Sequence, residues 1–313
     1  MPGMGPLFSI VISVYNDWIP LHQCLQSLAQ QTDSPDFEVI IVDDGSRTPA
    51  PEFIRNCMRC YPLMVVRHSH AGISAARNRG VQISKGCVLL FIDADCKLER
   101  NCLAVLKSTI SGSPQHNCFQ LHLVGAAFGL VGKAEALRLI SLQDHLLQPD
   151  GCIRYLNTAG FAIRRQKVNP QVGVFDEALR RAEDTLLLAN LMEQGELPLF
   201  VPYAIVQHAV QLSLVKCLSK DIRSAYLEGK TYEIIASKGL KIRMSNRERL
   251  SVLLSMWKTS KQPSIGRLGW CVLVLRQACQ RITSFVYGCL HLRPNGQLPI
   301  NSSKKCSAMS VTQ

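Results

Sequence analysis

Short unbroken apolar runs alternate with amphipathic stretches over residues 8–206, and this alternation predicts an α/β protein. FSIVISV (Phe8–Val14), FEVIIV (Phe37–Val42), Met64–Arg67 and VLLFI (Val88–Ile92) read as strands. The last is apolar at every position, as expected of a strand buried on both faces in the middle of a parallel sheet. Between the strands, Trp18–Gln30 carries Leu21, Cys24, Leu25 and Leu28 on one helical face. Glu52–Cys60 and Ile73–Ser84 follow as helices, the latter bounded by Gly72 and Gly86. Strand, helix, strand at this spacing favours right-handed parallel crossovers.

Farther along, Leu98–Ser111 reads as a surface helix and Gly112–Asn117 as a loop. Phe119–Val131 is apolar without a clean period, Glu135–Leu147 is helical, and Asn157–Ile163 is a strand candidate. Thr185–Glu193 is an amphipathic helix stopped by Gly195, and Leu199–Val206 is a last strand with His208 just past it. Leu212–Ser237, Leu250–Trp257 and Trp270–Leu292 read as helices in basic sequence, and residues 295–313 as a disordered tail.

Chemistry gathers where the strands run out. The first ends in Tyr15 and Asn16, the second in Asp43 and Asp44, the fourth in Asp93 and Asp95, and a parallel sheet lines such ends along one edge. Two carboxylates flanking the small Ala94 suit Mg²⁺ or Mn²⁺ carrying a phosphate, because these cations keep one or two protein carboxylates and fill their other positions with substrate oxygens and water. Arg77 and Arg79 are placed either to meet phosphate or to stay solvated. Glu183 and Asp184 stand at a helix start, where a carboxylate either caps the helix or is held rigidly at a cleft.

Charge changes the picture of the C-terminal part. The chain has 313 residues and a net charge of +12, with 47% hydrophobic and 19% charged residues. From Leu212 onward there are 17 Lys and Arg against 4 Asp and Glu, while the remainder holds 18 against 19. A basic, partly apolar region points to an anionic membrane surface, or else to a helical subdomain with a solvated basic face; no aromatic ladder or reading motif points to nucleic acid. No apolar run reaches membrane-spanning length, and the N-terminus lacks the basic n-region and cleavage site of a signal peptide, so a cytoplasmic location is expected. Of the thirteen cysteines, Cys57 and Cys60 form a lone C-x-x-C with no second pair to complete a zinc site, and the set reads as small buried hydrophobes in a reducing compartment.

Taken in order, SIVISVYN (Ser9–Asn16), VIIVDDGS (Val39–Ser46), AGISAARNRG (Ala71–Gly80), LLFIDAD (Leu89–Asp95), GVFDE (Gly173–Glu177) and AED (Ala182–Asp184) resemble the family 2 glycosyltransferases of the GT-A fold over about residues 7–210. The resemblance implies a Rossmann-like, mixed but mostly parallel sheet flanked by helices over residues 1–210, followed by a helical basic extension over 211–294. It implies a metal-dependent, inverting hexosyl transfer from a nucleotide-diphosphate sugar, with a UDP-sugar foremost, to a glycan, lipid-linked or other envelope acceptor. By position, Asp43 matches the acid that binds the base, with Tyr15 near base or ribose. Asp44 and Glu183 join the donor pocket, and Arg77 and Asn78 match its Ala-Arg-Asn. Asp93 matches the carboxylate near the ribose, and Asp95 the one holding the divalent cation on the diphosphate, with Asp93 and His208 as its further metal-site candidates. Asp184 matches the general base. The Gln-x-x-Arg-Trp motif of processive members is missing, so transfer is expected to be non-processive, on the inner face of a membrane. The rival readings are a non-catalytic nucleotide-sugar-binding relative and a nucleotidyltransferase, although SVYNDW lacks the glycine- and lysine-rich triphosphate loop of the latter.

Overall fold

A computed structural model of the chain describes residues 5–126, 128–208, 213–239, 242, 244–261 and 266–291. The tail expected to be disordered, residues 295–313, lies outside them. In chain order the elements are β1 (Phe8–Val14), α1 (Trp18–Ala29), β2 (Phe37–Asp43), α2 (Phe53–Cys57), β3 (Leu63–Arg67), α3 (Ile73–Ile83), β4 (Val88–Phe91) and β5 (Cys96–Leu98). They continue with α4 (Cys102–Gly112), β6 (Cys118–Gly125), α5 (Gly129–Leu146), β7 (Phe161–Arg164), α6 (Glu183–Glu193), β8 (Leu199–His208), α7 (Leu214–Ser237), α8 (Asn246–Thr259) and α9 (Gly266–His291). Eight strands form one sheet in the order β3-β2-β1-β4-β7-β6-β8-β5.

The sheet has two halves. β1 to β4 are mutually parallel, with β1 between β2 and β4 in register Val14↔Asp43 and Phe8↔Val88. β4 is therefore not flanked by parallel neighbours on both sides: β7 runs antiparallel to it, so the strand marks the seam of a mixed sheet. Its residues are nonetheless fully buried, because helices cover both faces. One core cluster joins α1, through Leu21, Leu25 and Leu28, to Ile10, Val39 and Leu90; another joins Val11, Leu89 and Phe161 to Leu187 and Leu188 of α6. At about 1.5–3 kcal/mol for each fully buried leucine-sized side chain, this layering supplies the main drive for the fold. α3 approaches β1 closely at Gly80, where a Cβ would collide with Val11.

Several expected boundaries shift for local reasons. Phe119–Val131 lacks a period because it spans two elements, a strand ending at Gly125 and a helix beginning at Gly129. Asn157 starts a turn instead of a strand: its Oδ1 accepts from Ala159 N at 2.9 Å, winding Thr158–Gly160 into a 3-10 turn before β7 begins at Phe161. Leu98 belongs to β5, and the following helix starts at Cys102. β8 runs on to His208, because β5 pairs with it antiparallel in register Cys96↔His208. Most of the described cysteines are buried, although Cys60, Cys87 and Cys271 are exposed.

Candidate active site

The parallel half delivers its strand ends to one edge. Asp43, 1% exposed, closes the turn after β2 by accepting from Ser46 N at 2.8 Å, and its Oδ2 lies 3.6 Å from Arg67 Nε. Asp44, 4% exposed, accepts from Ala71 N at 2.8 Å and Gly72 N at 3.0 Å, and its carboxylate lies 2.9 Å from His70 Nδ1. Asp44 thus pins the segment leading into α3. Tyr15 is exposed at the tip of β1 and stacks on His70, with ring centroids 4.3 Å apart. Together these groups make a small aromatic and acidic shelf.

Beside the shelf stands a buried guanidinium. Arg77 on α3 donates to Glu183 Oε1 at 2.6 Å and to Asp93 Oδ1 at 2.9 Å, with its side chain 3% exposed. Both charge-assisted bonds outweigh the cost of burying the guanidinium and keep it protonated. Asn78, the next residue, points the other way. Its Oδ1 accepts from Val174 N and Phe175 N, and its Nδ2 donates to Phe175 O and Glu177 Oε1, so all its polar atoms are spent on residues 174–177. Gly173, at φ +83°, lies so close to this amide that a Cβ would meet Asn78 Oδ1 at 2.5 Å. Asn78 therefore fastens the GVFDE segment to α3, with both amide atoms already engaged.

α6 carries the remaining acids. Ala182 precedes it with a left-handed backbone, φ 59°, an uncommon conformation for a residue with a Cβ. That turn sets Glu183 and Asp184 in the first helical turn, where the helix dipole favours negative charge. Glu183 is buried and taken up by Arg77. Asp184 stays partly exposed, and its carboxyl is pushed up to about 6 by burial and the neighbouring Glu183, against the pull of Arg77. Tyr155 lies close enough for Asp184 to raise its hydroxyl, an effect secondary to burial.

A second grouping forms across β5 and β8. His208 Nε2 lies 3.4 Å from Asp95 Oδ2, and Asp95, His208 and Cys96 bring one ligand atom each to within 4.8 Å of one another. Burial disfavours both charged forms, but the hydrogen bond between them wins: the Asp95 carboxyl is lowered and the His208 imidazole raised from their ordinary values. Burial holds the Cys96 thiol protonated, its pKa raised well above the ordinary value, so the usable donors are one carboxylate oxygen and one imidazole nitrogen. That donor set, half-exposed at Asp95, fits a hard divalent cation such as Mg²⁺ or Mn²⁺ that completes its shell with water and phosphate. Asp93 is not in this group; Arg77 holds it.

The structure thus forms three groupings: Tyr15 and Asp44 around His70 with Asp43 one residue away, Arg77 with Asp93 and Glu183 next to Asp184, and Asp95 with His208. Sequence reasoning passed over Arg67, His68 and His70, although Arg67 ends β3 and the histidines come directly after it, on the same edge. It also passed over Tyr155 and Lys220, which lie far off in sequence and carry no motif; the Lys220 charge pulls on both Asp17 and Asp95, behind burial in each case and behind the Asp95 charge or the His208 contacts.

This mixed sheet, flanked by helices and carrying acids along one edge, has the architecture of the GT-A fold. The profile of glycosyl transferase family 2 matches residues 9–173, more than half of the chain, which therefore belongs to that family. It is 32% identical over 209 residues to an uncharacterised glycosyltransferase of Haemophilus influenzae, covering 64% of this chain and 65% of the relative. It is 34% identical over 116 residues to glycosyltransferase AglE of Haloferax volcanii, covering 36% of this chain and 38% of the relative. The matches therefore span less than two-thirds of either relative's length. Among solved structures, mannosyltransferase PcManGT from Pyrobaculum calidifontis, in complex with GDP-Man and Mn²⁺, is similar with a TM-score of 0.56 and 16% identity, covering 91% of this chain and 85% of that one. S. aureus TarS 1-349 in complex with UDP is similar with a TM-score of 0.51 and 17% identity, covering 90% and 89%. At such identities the likeness is one of fold.

Proposed function

We propose that the chain transfers a single sugar, with inversion, from a nucleoside diphosphate to a hydroxyl of a glycan or lipid-linked envelope acceptor, acting on the cytoplasmic side of a membrane. The observation that carries this reading is Asp184: a partly exposed carboxylate with no ion-pair partner among the described residues, which feels Arg77 and Arg181 only as neighbouring charges and is fixed beside a pair of acids that Arg77 has already neutralised in part. A pKa raised toward neutrality suits a group that must accept a proton from an attacking hydroxyl at physiological pH. Retention by a covalent route would need a second free carboxylate as nucleophile. Glu183, bonded to Arg77 at 2.6 Å, is poorly placed for that role.

The rest of the cleft fits the donor. Asp43 presents an acceptor and so selects bases with an N–H, which uracil and guanine both offer and which agrees with the UDP and GDP-Man of the fold neighbours. We place a UDP-sugar first. Tyr15 and His70 offer stacking surface, and Arg77 holds Asp93 toward the ribose. Asn78 acts as a positioning residue for residues 173–177. Asp95 and His208 would hold Mn²⁺ or Mg²⁺, as an Mn²⁺ ion accompanies the donor in PcManGT. Such an ion would supply Lewis-acid stabilisation of the charge that develops on the departing diphosphate. Residues 1–210 form the catalytic unit in this reading, and the later helices an extension of it.

The test is a panel of UDP- and GDP-sugars scored by nucleoside diphosphate release, with Mn²⁺ and with EDTA. One donor of the panel should turn over only with the cation, Asp95→Ala should abolish that turnover, and the anomeric proton of the product should show inversion by NMR. Turnover undiminished by EDTA together with Asp95→Ala, or a product of retained configuration, would overturn the assignment.

A further inference from the structure

The three C-terminal helices are tied down on one side and unpartnered on the other. Inward, Arg276 of α9 donates to Asp221 of α7 at 2.6 Å and to Glu135 of α5 at 3.2 Å, and Trp257 of α8 meets Trp270 of α9 edge-on. These contacts lock the helices onto α5. Outward, Val215, Leu218, Ser219, Ile222 and Arg223 line a shallow groove along one face of α7, spaced at i, i+3, i+4, i+7 and i+8. Arg247, Leu250, Ser251, Leu254, Ser255 and Lys258 repeat that pattern on α8. Val215 is 77% exposed, Leu250 58% and Leu268 67%, and half of the exposed large apolar side chains among the described residues stand on these three helices.

Charge decides what covers them. Of the four acids beyond residue 212, Asp221 and Glu248 are bonded to Arg276 and Arg154, and Glu233 is bonded to Tyr287. Lys216, Lys220, Arg223, Arg247, Lys258 and Lys261 are exposed, and none has an ion-pair partner among the described residues. A second copy of this chain would set like charges against one another, which costs association. An apolar stripe bordered by uncompensated cations is complementary to acyl chains bordered by anionic headgroups. We propose that the outward faces of α7 and α8 dock on an anionic lipid bilayer, lying in its interface without crossing it. Among the described residues no helix is long and apolar enough to span a membrane.

Docking there has a consequence for the site. α7 begins at Leu214, shortly after β8 ends at His208. The helix that meets lipid thus follows directly on a strand that carries a site residue, which would keep the catalytic unit close to a membrane-borne acceptor; this corollary rests on the transfer reading, whereas the docking does not.

The experiment is co-sedimentation of the full chain with phosphatidylcholine vesicles, with and without phosphatidylglycerol. Binding is expected only with the anionic lipid and should fall as salt rises, since screening shortens the reach of surface charge. Replacing four cations, Lys216→Gln with Arg223→Gln, Arg247→Gln and Lys258→Gln, should weaken partitioning by at least tenfold, given about fivefold per charge at a membrane surface. Val215→Ser with Ile222→Ser and Leu254→Ser should weaken it by a similar factor while leaving the far-ultraviolet circular dichroism unchanged. Asp184→Asn should bind vesicles like the parent chain, which separates docking from chemistry. Equal binding to neutral vesicles, undiminished binding by both variants, or a dimer in light scattering that the serine variant dissolves would each overturn the proposal.

Discussion

Two arginines in this molecule each clamp two acids, and they end in opposite roles. Arg276 joins Asp221 and Glu135, all with side chains 11% exposed or less, and Arg138 adds a second cation at 2.6 Å from Glu135. Two cations meet two anions, and Glu135 is held well below the ordinary carboxylate range: burial opposes this, but Arg138 and Arg276 overcome it. Arg77 joins Asp93 and Glu183 in much the same way, but Asp184 stands next to them as a third acid, and Asp93 is 30% exposed at a strand end. One clamping cation faces three anions, and Arg181 adds only a lesser pull on Asp184. The balanced cluster welds helices together, whereas the unbalanced one leaves a carboxyl raised toward neutrality, as the proposed proton acceptor requires. What separates structural from chemical ion pairs here is the leftover charge and its access to water.

The comparison can be broken most sharply at Asp184. Asp184→Asn should lower sugar transfer by about 10²–10⁴-fold, as for loss of a general base, with donor affinity by calorimetry within a fewfold of the parent. At the balanced cluster, Arg276→Met should cost about 3–5 kcal/mol in urea unfolding by stranding Asp221, while Glu135 keeps Arg138. Adding Asp221→Leu should recover more than half of that loss, because a dry apolar pair removes a stranded charge. The smallest effect sharpens the contrast through pH. The folded-state pKa of Asp184 is raised, so its contribution to stability is present at low pH and lost as pH rises through about 6. Asp184→Asn should therefore raise the Tm by a few degrees at about pH 8 and lose that advantage by about pH 4, whereas an unchanged difference across this range would show that Asp184 is not the strained acid.

The parallel half of the fold was legible because each strand is a dense apolar run ending in polar residues, and Asp43, Asp93 and Asp95 declare themselves by that position. The antiparallel half was less so: β5 has three residues, β6 and α5 merge into one apolar stretch, and a turn at Asn157 delays β7. Within the site, pairing was hidden even where residues were visible. Nothing in the chain before folding separates the amide of Asn78, turned onto residues 174–177, from the guanidinium of Arg77 one position earlier. The α-helical turn between neighbours sends them to opposite sides, and only packing shows which side holds the cleft. The link between Asp95 and His208 likewise depends on the register of β5 against β8.

The seam at β4 has one more consequence, for how such an enzyme diversifies. Strands β1 to β4 supply Tyr15, Asp43 and Asp95 from residues 8–96, while Tyr155, Glu183, Asp184 and His208 all come from residues 118–208. The two sides of the site are thus written on two consecutive stretches of the chain, separated by the surface helix α4, so that recombination within that helix would exchange one side for another while leaving its counterpart uncut.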